Sequence, residues 1–430
     1  MSAHVVVVGG GFAGVACARR LARDENDDVS VTLLDKNGYH QFQPLLYQVA
    51  TAELARRDMA FDLAGIFHDD DAVRVRTGEV AAVDPESRTV TLADGGTVQG
   101  DVLVLAAGAA PNFFHTPGAA EHAYPLYSVD NAERIREAVL RLFDEAAAKP
   151  ERIGEGALTF VVVGAGPTGV ETAGALAELV HDVMPHVHEN LVVGGAQVIL
   201  VDLGHTVLPQ FSDEAHDYTA RQLRRRGVQL RLGQAVKEIG PDHVTLSDGT
   251  GIRTQLVVWG GGISAAPLTA RCGLTRGRGG RIDVLPDLTV PGFPGVYAVG
   301  DVANIPFGDE PALPQLGSVA AQSGAWAARN IRADLDGGHR ESFHYRDKGI
   351  MAMIGRRAAV AEIGPHRHEL HGRMAFAAWL GVHAQLLANA RAEVGALDAW
   401  AEDFYLRPHH RSAALLDPAA ADTPRINWKG

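Results

Sequence analysis

The sequence predicts an α/β chain built from two doubly wound, parallel-sheet domains of one plan, followed by a region of strands and amphipathic helices. Three observations predict this. An apolar strand beginning at Val5 runs into Gly9-x-Gly11-x-x-Gly14, then a helical segment, then a second apolar strand, Val29–Leu34, closed by Asp35. The pattern returns as "FVVVGAGPTGVE", with Gly164, Gly166 and Gly169 each 155 positions after its counterpart. Each copy leads to alternating, hairpin-like segments and then to an apolar run ending in glycine, "DVLVLAAG" and "QLVVWGGG".

Each part of the first copy has a physical task. Gly9 allows a tight turn, Gly11 lets the backbone approach a pyrophosphate, and Gly14 lets helix and strand pack closely. Asp35, 21 positions after Gly14, is placed to hold a ribose hydroxyl. The helix N-terminus offers unpaired N–H groups and partial positive charge to phosphates. The two copies therefore read as Rossmann-like dinucleotide-binding domains. In the second copy Pro167 suits the first helical position. Its strand Gln197–Val201 ends in Asp202, 33 positions after Gly169. Pro185 in the extra length ends or kinks the helix. An acid at Asp202 repels a ribose 2′-phosphate and favours NADH over NADPH.

The remaining segments follow in order. "KNGYHQFQPLLYQVATAEL" sets Gln41, Gln43 and Gln48 among apolar residues, which fits either a mostly apolar pocket or a capped core helix. Val73–Val83 and Arg88–Leu92 alternate as strands. Asn131–Ala148 has a helical stripe through Ile135, Val139 and Leu142, and the polar link Lys149–Gly156 reads as a domain boundary. "VYAVGD" is a strand delivering Asp301 to its carboxyl end. A helix starts near Gly317, with Val319, Trp326 and Ile331 on its apolar side. Strands are expected over Phe343–Ile363, and two amphipathic helices over Met374–Leu406. The first carries Phe376, Trp379, Leu380, Leu386 and Leu387; the second carries Val394, Leu397, Trp400 and Phe404.

Bulk properties bound the function. The chain has 430 residues, 46% of them hydrophobic, enough for two or three domains with sizeable cores. A net charge of −13 argues against nucleic acid as the partner. Cys17 and Cys272 are the only cysteines, with no CxxC spacing, so a disulfide framework, a thiolate metal site and an oxidising compartment are not expected. His366, His368 and His371 lie in a charged stretch and read as solvated, so no metal is expected. The chain reaches its first strand by residue 5 without a basic leader, and Met374–Ala390 is interrupted by His383, Gln385 and Asn389. The expected setting is cytoplasmic, at most peripheral on the inner face of the cell membrane.

"FQPLLYQVAT", "FVVVGAGPTGVE", "VYAVGD" and "DKGIMAMIGR" together resemble the single-subunit type II NADH dehydrogenases. These are flavin-dependent, non-proton-pumping NADH:quinone oxidoreductases. The likeness runs from Val5 to about Trp400. It implies FAD on Gly9, Gly11, Gly14, Asp35 and Lys36, with Gly108 and Asp301 completing that site. It implies NADH on Gly164, Gly166, Gly169 and Asp202, with Glu171 near the nicotinamide. It implies that Gln322, beside flavin and quinone, shares a pocket with Gln48 and Lys348. The implied boundaries are 1–120 with 286–335 for FAD, 121–285 for NADH, and 336–430 as a C-terminal region for membrane-surface or homodimer contact. Ser318 stands where the family's quinone motif often has Gln, and Asp398, Glu402 and Asp403 make the last helix more acidic than usual. Glu171 also reads as a first-turn acid favoured by the helix dipole, and Lys348 as a surface salt-bridge lysine. A reductase of a ferredoxin- or rubredoxin-like protein and a non-catalytic NAD(H)-sensing flavoprotein are the competing readings.

Overall fold

Where the chain turns β-branched it forms strands buried on both faces, as parallel sheets require. The computed structural model describes residues 3–23, 29–188, 195–308, 312–364, 366–387 and 390–401, the last with the backbone alone for 390–395. In chain order the elements used below are β1 (Ala3–Val8), α1 (Phe12–Ala22), β2 (Val29–Asp35), α2 (Leu46–Ala50), β3 (Val73–Thr77), β4 (Val102–Leu105), β5 (Tyr124–Pro125), α3 (Val129–Ala148), β6 (Thr159–Val163), α4 (Pro167–Glu178), β7 (Gln197–Asp202), α5 (Asp213–Arg225), β8 (Val228–Leu232), β9 (Leu256–Trp259), β10 (Val296–Ala298), α6 (Gly317–Leu335), β11 (Gly349–Gly355), β12 (Ala358–Ile363), β13 (His368–His371), α7 (Gly372–Leu386) and α8 (Ala390–Ala401).

The chain divides into two units. Unit 1 gathers Met1–Gln41, Phe61–Ala110 and Ile263–Arg346. Its sheet has the order β10-β4-β1-β2-β3, every pair parallel, with Val5 in register with Val31 and Val102. Val5, Val6, Val7, Leu33 and Val104 have no exposed surface. Helix α6 packs on α1 so closely that a Cβ on Gly324 would lie 2.0 Å from the Ala13 carbonyl oxygen. An antiparallel hairpin set, Val80–Asp84, Thr89–Leu92 and Thr97–Gln99, extends from this unit.

Unit 2 gathers Phe42–Ala60, Pro111–Gly262 and Asp347–Gly430. Its main sheet, β5-β9-β6-β7-β8, is again parallel throughout. The glycine-loop strand is central in both sheets, flanked by the same two neighbours in plan. The outermost strand beyond β4 or β9 differs in origin: unit 1 takes it from far downstream (β10), unit 2 from upstream (β5). The segments at 42–60 and 347–401 group with this unit, the latter as the antiparallel meander β11-β12-β13 followed by α7 and α8.

Several local expectations shift. Helix α3 begins at Val129, because Ser128 and Asn131 cap each other with two 3.1 Å bonds between side chain and backbone. The link Lys149–Gly156 lies inside unit 2 as a 3₁₀ turn, and Phe143 before it stacks on Phe160 after it at 5.9 Å. Strand structure begins at Gly349, not Phe343. The apolar face of α7 divides: Phe376, Trp379 and, just past its end, Leu387 are buried, and Leu386 is exposed. On α8, Trp400 is buried and Leu397 exposed. The side chain of Val394, and Glu402, Asp403 and Phe404, lie outside the described residues.

Candidate active site

In unit 1 the sheet order brings the ends of β1, β4 and β10 side by side, and with them the Gly9 loop, Gly108 and Asp301. Gly9 has φ +112°, and a Cβ there would lie 2.2 Å from the Ala106 carbonyl oxygen. A Cβ on Gly14 would lie 1.8 Å from the Gly9 carbonyl oxygen, so helix and turn touch through bare backbone. Gly11 has nothing within 4 Å of that direction, leaving open space in front of the first turn of α1. Asp35 straps the loop: one carboxylate oxygen accepts from the Gly10 amide at 2.6 Å, the other from Asn37 at 2.7 Å. Burial pushes its carboxyl pKa above the usual value, while those amide bonds pull it down. Lys36 beside it is exposed.

Two supports of this site were not read from the sequence. His40 is buried, and its Nδ1 donates to the Gly10 carbonyl at 2.9 Å. Its burial lowers its pKa, so the ring is neutral at pH 7. Ser323 accepts the Gly300 amide at 3.0 Å and so fixes the turn that carries Asp301. Asp301 is pushed up to about 6 by burial, offset in part by Arg281. Gln322 is placed in unit 1 with its amide clamped to the backbone of Arg346, donating at 3.1 Å and accepting at 3.0 Å. Ser318 shares a 2.9 Å bond with the Tyr345 hydroxyl.

Unit 2 repeats the loop. Gly164 has φ +104°; Cβ atoms on Gly164 and Gly169 would lie 2.6 Å and 1.7 Å from backbone oxygens; Gly166 again faces open space. Asp202 accepts from Ala165 at 2.6 Å and from Gly204 at 2.5 Å, the same strap as Asp35 despite the longer spacing. The extra residues are taken up by a π-turn, Leu179–Val183, and a short helix, Met184–Val187. The carbonyl equivalent to that of Gly10 belongs to Ala165, and it accepts from the Leu208 amide at 2.7 Å.

Helix α4 is buried from Gly169 to its end, so both of its acids are buried. Glu171 sits in its second turn, which removes the first-turn dipole reading. The Met353 amide donates to its Oε1 at 3.1 Å. Burial raises its pKa to about 8, against the pull of that amide and of the Trp379 indole. At pH 7 it is therefore protonated. A small cavity beside it is lined by Tyr47, Glu53, Glu178 and Arg356. Gln48 is fully buried; its Nε2 donates to the Tyr47 hydroxyl at 3.3 Å and its Oε1 accepts from the Trp400 indole at 2.9 Å. Unit 2 thus brings Gln48 and Glu171 to one place through Tyr47. Lys348 is exposed and does not line that cavity. Glu53, Glu178 and Tyr47 were not singled out in the sequence, and Trp400 was read only as an apolar residue of the last helix. The signal for Glu178 was present: an acid on a helix apolar all round has no solvated face to occupy.

Cys17 lies in the core with its thiol pushed up to about 12, and Cys272 donates to the Leu268 carbonyl at 3.2 Å. Both are free, so no dithiol centre exists. Among the described residues no group of His, Cys, Asp and Glu is placed to hold a metal ion.

Two Rossmann-like units and a site without a redox dithiol define a two-dinucleotide flavoprotein. The family model for pyridine nucleotide-disulphide oxidoreductases matches residues 3–324. A type II NADH:quinone oxidoreductase of Mycobacterium tuberculosis is 35% identical over 93% of this chain and 88% of its own length. The chain belongs to the pyridine nucleotide-disulphide oxidoreductases and, within them, to the type II NADH:quinone oxidoreductases. A solved structure of NDH2 from Plasmodium falciparum in complex with NADH has the same fold, with a TM-score of 0.86 over 96% of this chain and all of that one at 18% identity. The sulfide:quinone oxidoreductase of Aquifex aeolicus also shares the fold, at a TM-score of 0.72 and 18% identity over 94% of this chain and 96% of its own.

Proposed function

We propose that unit 1 holds FAD and unit 2 holds NADH, and that this chain works as an FAD-dependent NADH dehydrogenase with a quinone as electron acceptor. The observation that carries this is the pair of twin glycine loops, one per unit, each with an open face at its middle glycine and an acid strapped across its first turn. The bound flavin supplies hydride acceptance and two-electron donation. The chain supplies placement. First-turn N–H groups of α1 and α4, which have no intrahelical partner, hold the two pyrophosphates. Asp35 and Asp202 keep both loops closed and offer remaining lone pairs to ribose hydroxyls. Asp202 also turns away a 2′-phosphate. Protonated Glu171 donates a hydrogen bond to the nicotinamide carboxamide, or holds a proton for the acceptor. Gln322 and Ser318 line the acceptor side of unit 1, and Lys348 is a cation for a quinone oxygen. Fixed orientation of this kind lowers a bimolecular barrier by about 7–11 kcal/mol.

The acceptor reading brings a membrane surface with it. Met374, Val382 and Leu386 are exposed at helical spacing along one side of α7, with Leu397 exposed on α8. Among the described residues no helix is long and apolar enough to cross a membrane. We therefore assign α7 and α8 to peripheral contact.

An anaerobic titration tests the function. NADH is expected to bleach the flavin, and a short-chain quinone to restore its colour. Flavin that stays oxidised in NADH ends the oxidoreductase reading. Flavin that bleaches but is reoxidised only by a ferredoxin-like protein transfers the reading to a protein acceptor.

A further inference from the structure

We propose that Phe114 is a substrate-contacting residue of unit 2, whose ring gives the nicotinamide half of NADH an apolar face to lie against. The inference rests on the reading of unit 2 as the NADH site and adds a residue to it. The Phe114 side chain is 59% exposed, so burial is not what holds it in place. Its backbone is held at a cost. Phe114 has φ +50° and His115 φ +57°, in the left-handed region that a residue with a Cβ disfavours. No other two neighbouring non-glycine residues among the described ones share that conformation.

The turn is over-determined by its surroundings. The Asn112 side-chain oxygen accepts from the Phe114 amide at 2.9 Å. The Asn112 amide donates to the Gly262 carbonyl at 3.0 Å, and the Trp259 indole donates to the Asn112 carbonyl at 2.9 Å. Phe113 anchors the turn, its ring 5.5 Å from that of Trp259. Backbone strain that is held in this way is found at ligand-clamping sites. Here it keeps an apolar ring in the open beside Gly262, where a Cβ would lie 2.9 Å from the Phe114 ring.

That place belongs to the dinucleotide loop. Gly262 ends the glycine run that follows β9, and the run abuts the loop itself. A Cβ on Gly164 would lie 2.6 Å from the Gly260 carbonyl oxygen, and one on Gly260 would lie 3.5 Å from the Gly169 amide nitrogen. The sheet order places β9 on one side of β6 and β7 on the other. Asp202 closes β7, so a ribose held by it puts the adenosine on the β7 side. With the pyrophosphate at the open face of Gly166, the rest of the ligand runs toward β9, where the Phe114 ring stands. A nicotinamide ring presents a flat face, and aromatic faces pair with one another beyond the area they bury.

The test uses the holoprotein with its flavin reduced beforehand by dithionite, so that NADH binds without transferring hydride. Calorimetry compares NADH with ADP-ribose, which lacks the nicotinamide. Phe114→Ala and Phe114→Gly are each expected to weaken NADH about 10-fold and to leave ADP-ribose unchanged. Phe114→Tyr is expected to bind NADH as wild type does. Melting separates contact from scaffold. Glycine suits a positive φ, so Phe114→Gly should melt above Phe114→Ala while losing the same NADH affinity. A purely structural role would instead make affinity follow melting, and that outcome would overturn the proposal. So would NADH affinity within about twofold of wild type in either variant, or an equal loss for both ligands. If Phe114→Ala does not fold, Phe114→Gly decides alone. Wild-type protein that binds neither ligand instead refutes the NADH reading of unit 2 itself.

Discussion

The two glycine loops are built to one backbone plan and anchored by different chemistry. Both hinge on a glycine at positive φ, both pack helix on turn through bare backbone, and both are strapped by an aspartate bonded to the amide after the first glycine. They part at the next carbonyl. Unit 1 holds that of Gly10 with the His40 side chain; unit 2 holds that of Ala165 with the Leu208 backbone amide. They part again in the helix that follows. Helix α1 alternates between buried and partly exposed positions, whereas α4 is buried from Gly169 onward and carries two acids. The binding plan is therefore shared, and what differs is how the loop carbonyl is anchored and how deeply the following helix and its acids are buried.

The comparison breaks most sharply at the helix–turn contact. Gly14→Ala and Gly169→Ala each force a Cβ to within 1.8 Å of a carbonyl oxygen. Each is expected to cost its loop about 3 kcal/mol or more, roughly 100-fold in ligand affinity. Gly14→Ala should lose flavin on desalting. Gly169→Ala should keep its flavin and lose NADH binding by calorimetry; the reverse outcome would swap the two assignments.

Stability against pH comes next. Glu171 titrates near 4.5 when unfolded and at about 8 when folded. A raised folded value means its contribution is fully present below pH 4.5 and is lost as pH rises through 8. A shift of that size is worth on the order of 5 kcal/mol. Glu171→Gln should therefore melt higher than wild type at pH 9, with a smaller difference at pH 6, in calorimetric scans. Equal melting curves at pH 9 would show that the buried acid is not held neutral.

His40→Leu tests the anchor that unit 2 lacks. It leaves the Gly10 carbonyl without its partner, at a cost of about 1–3 kcal/mol. Flavin affinity should fall while the Kd for NADH stays unchanged. A drop in both would mean that the two loops are not independent.

The smallest effect sharpens the comparison most cleanly. A Cβ at Gly166 meets nothing, so Gly166→Ala should leave the melting temperature near that of wild type, within about 0.5 kcal/mol. The intruding methyl should weaken NADH by about 10-fold, or 1.4 kcal/mol. An unchanged Kd would place the pyrophosphate elsewhere.

Much of this was legible in the sequence because it is local. Three glycines at fixed spacing after a β-branched strand, repeated at a constant offset, specify a turn that only glycine allows, and the strands to either side announced themselves as buried. The start of α3 was misplaced by two residues because its cap, Ser128, precedes the apolar stripe. The apolar face of the first C-terminal helix was legible, but its pattern could not say which of its residues pack inward, as Phe376 and Trp379 do, and which face outward, as Leu386 does. His40 was passed over because a histidine among glutamines carries no local sign of the carbonyl it will meet.

By itself the sequence determined that there are two dinucleotide folds, where their loops turn and which acids close them, since each is decided by backbone sterics over a few neighbouring residues. The tertiary structure decided what surrounds Glu171. Gln48 and Trp400 are 352 positions apart, and their contact turns the Gln48 NH₂ toward the Tyr47 oxygen. Glu171 meets the Met353 amide across 182 positions. A protonation state depends on who buries the group and which dipoles remain within reach, and only the folded packing supplies both.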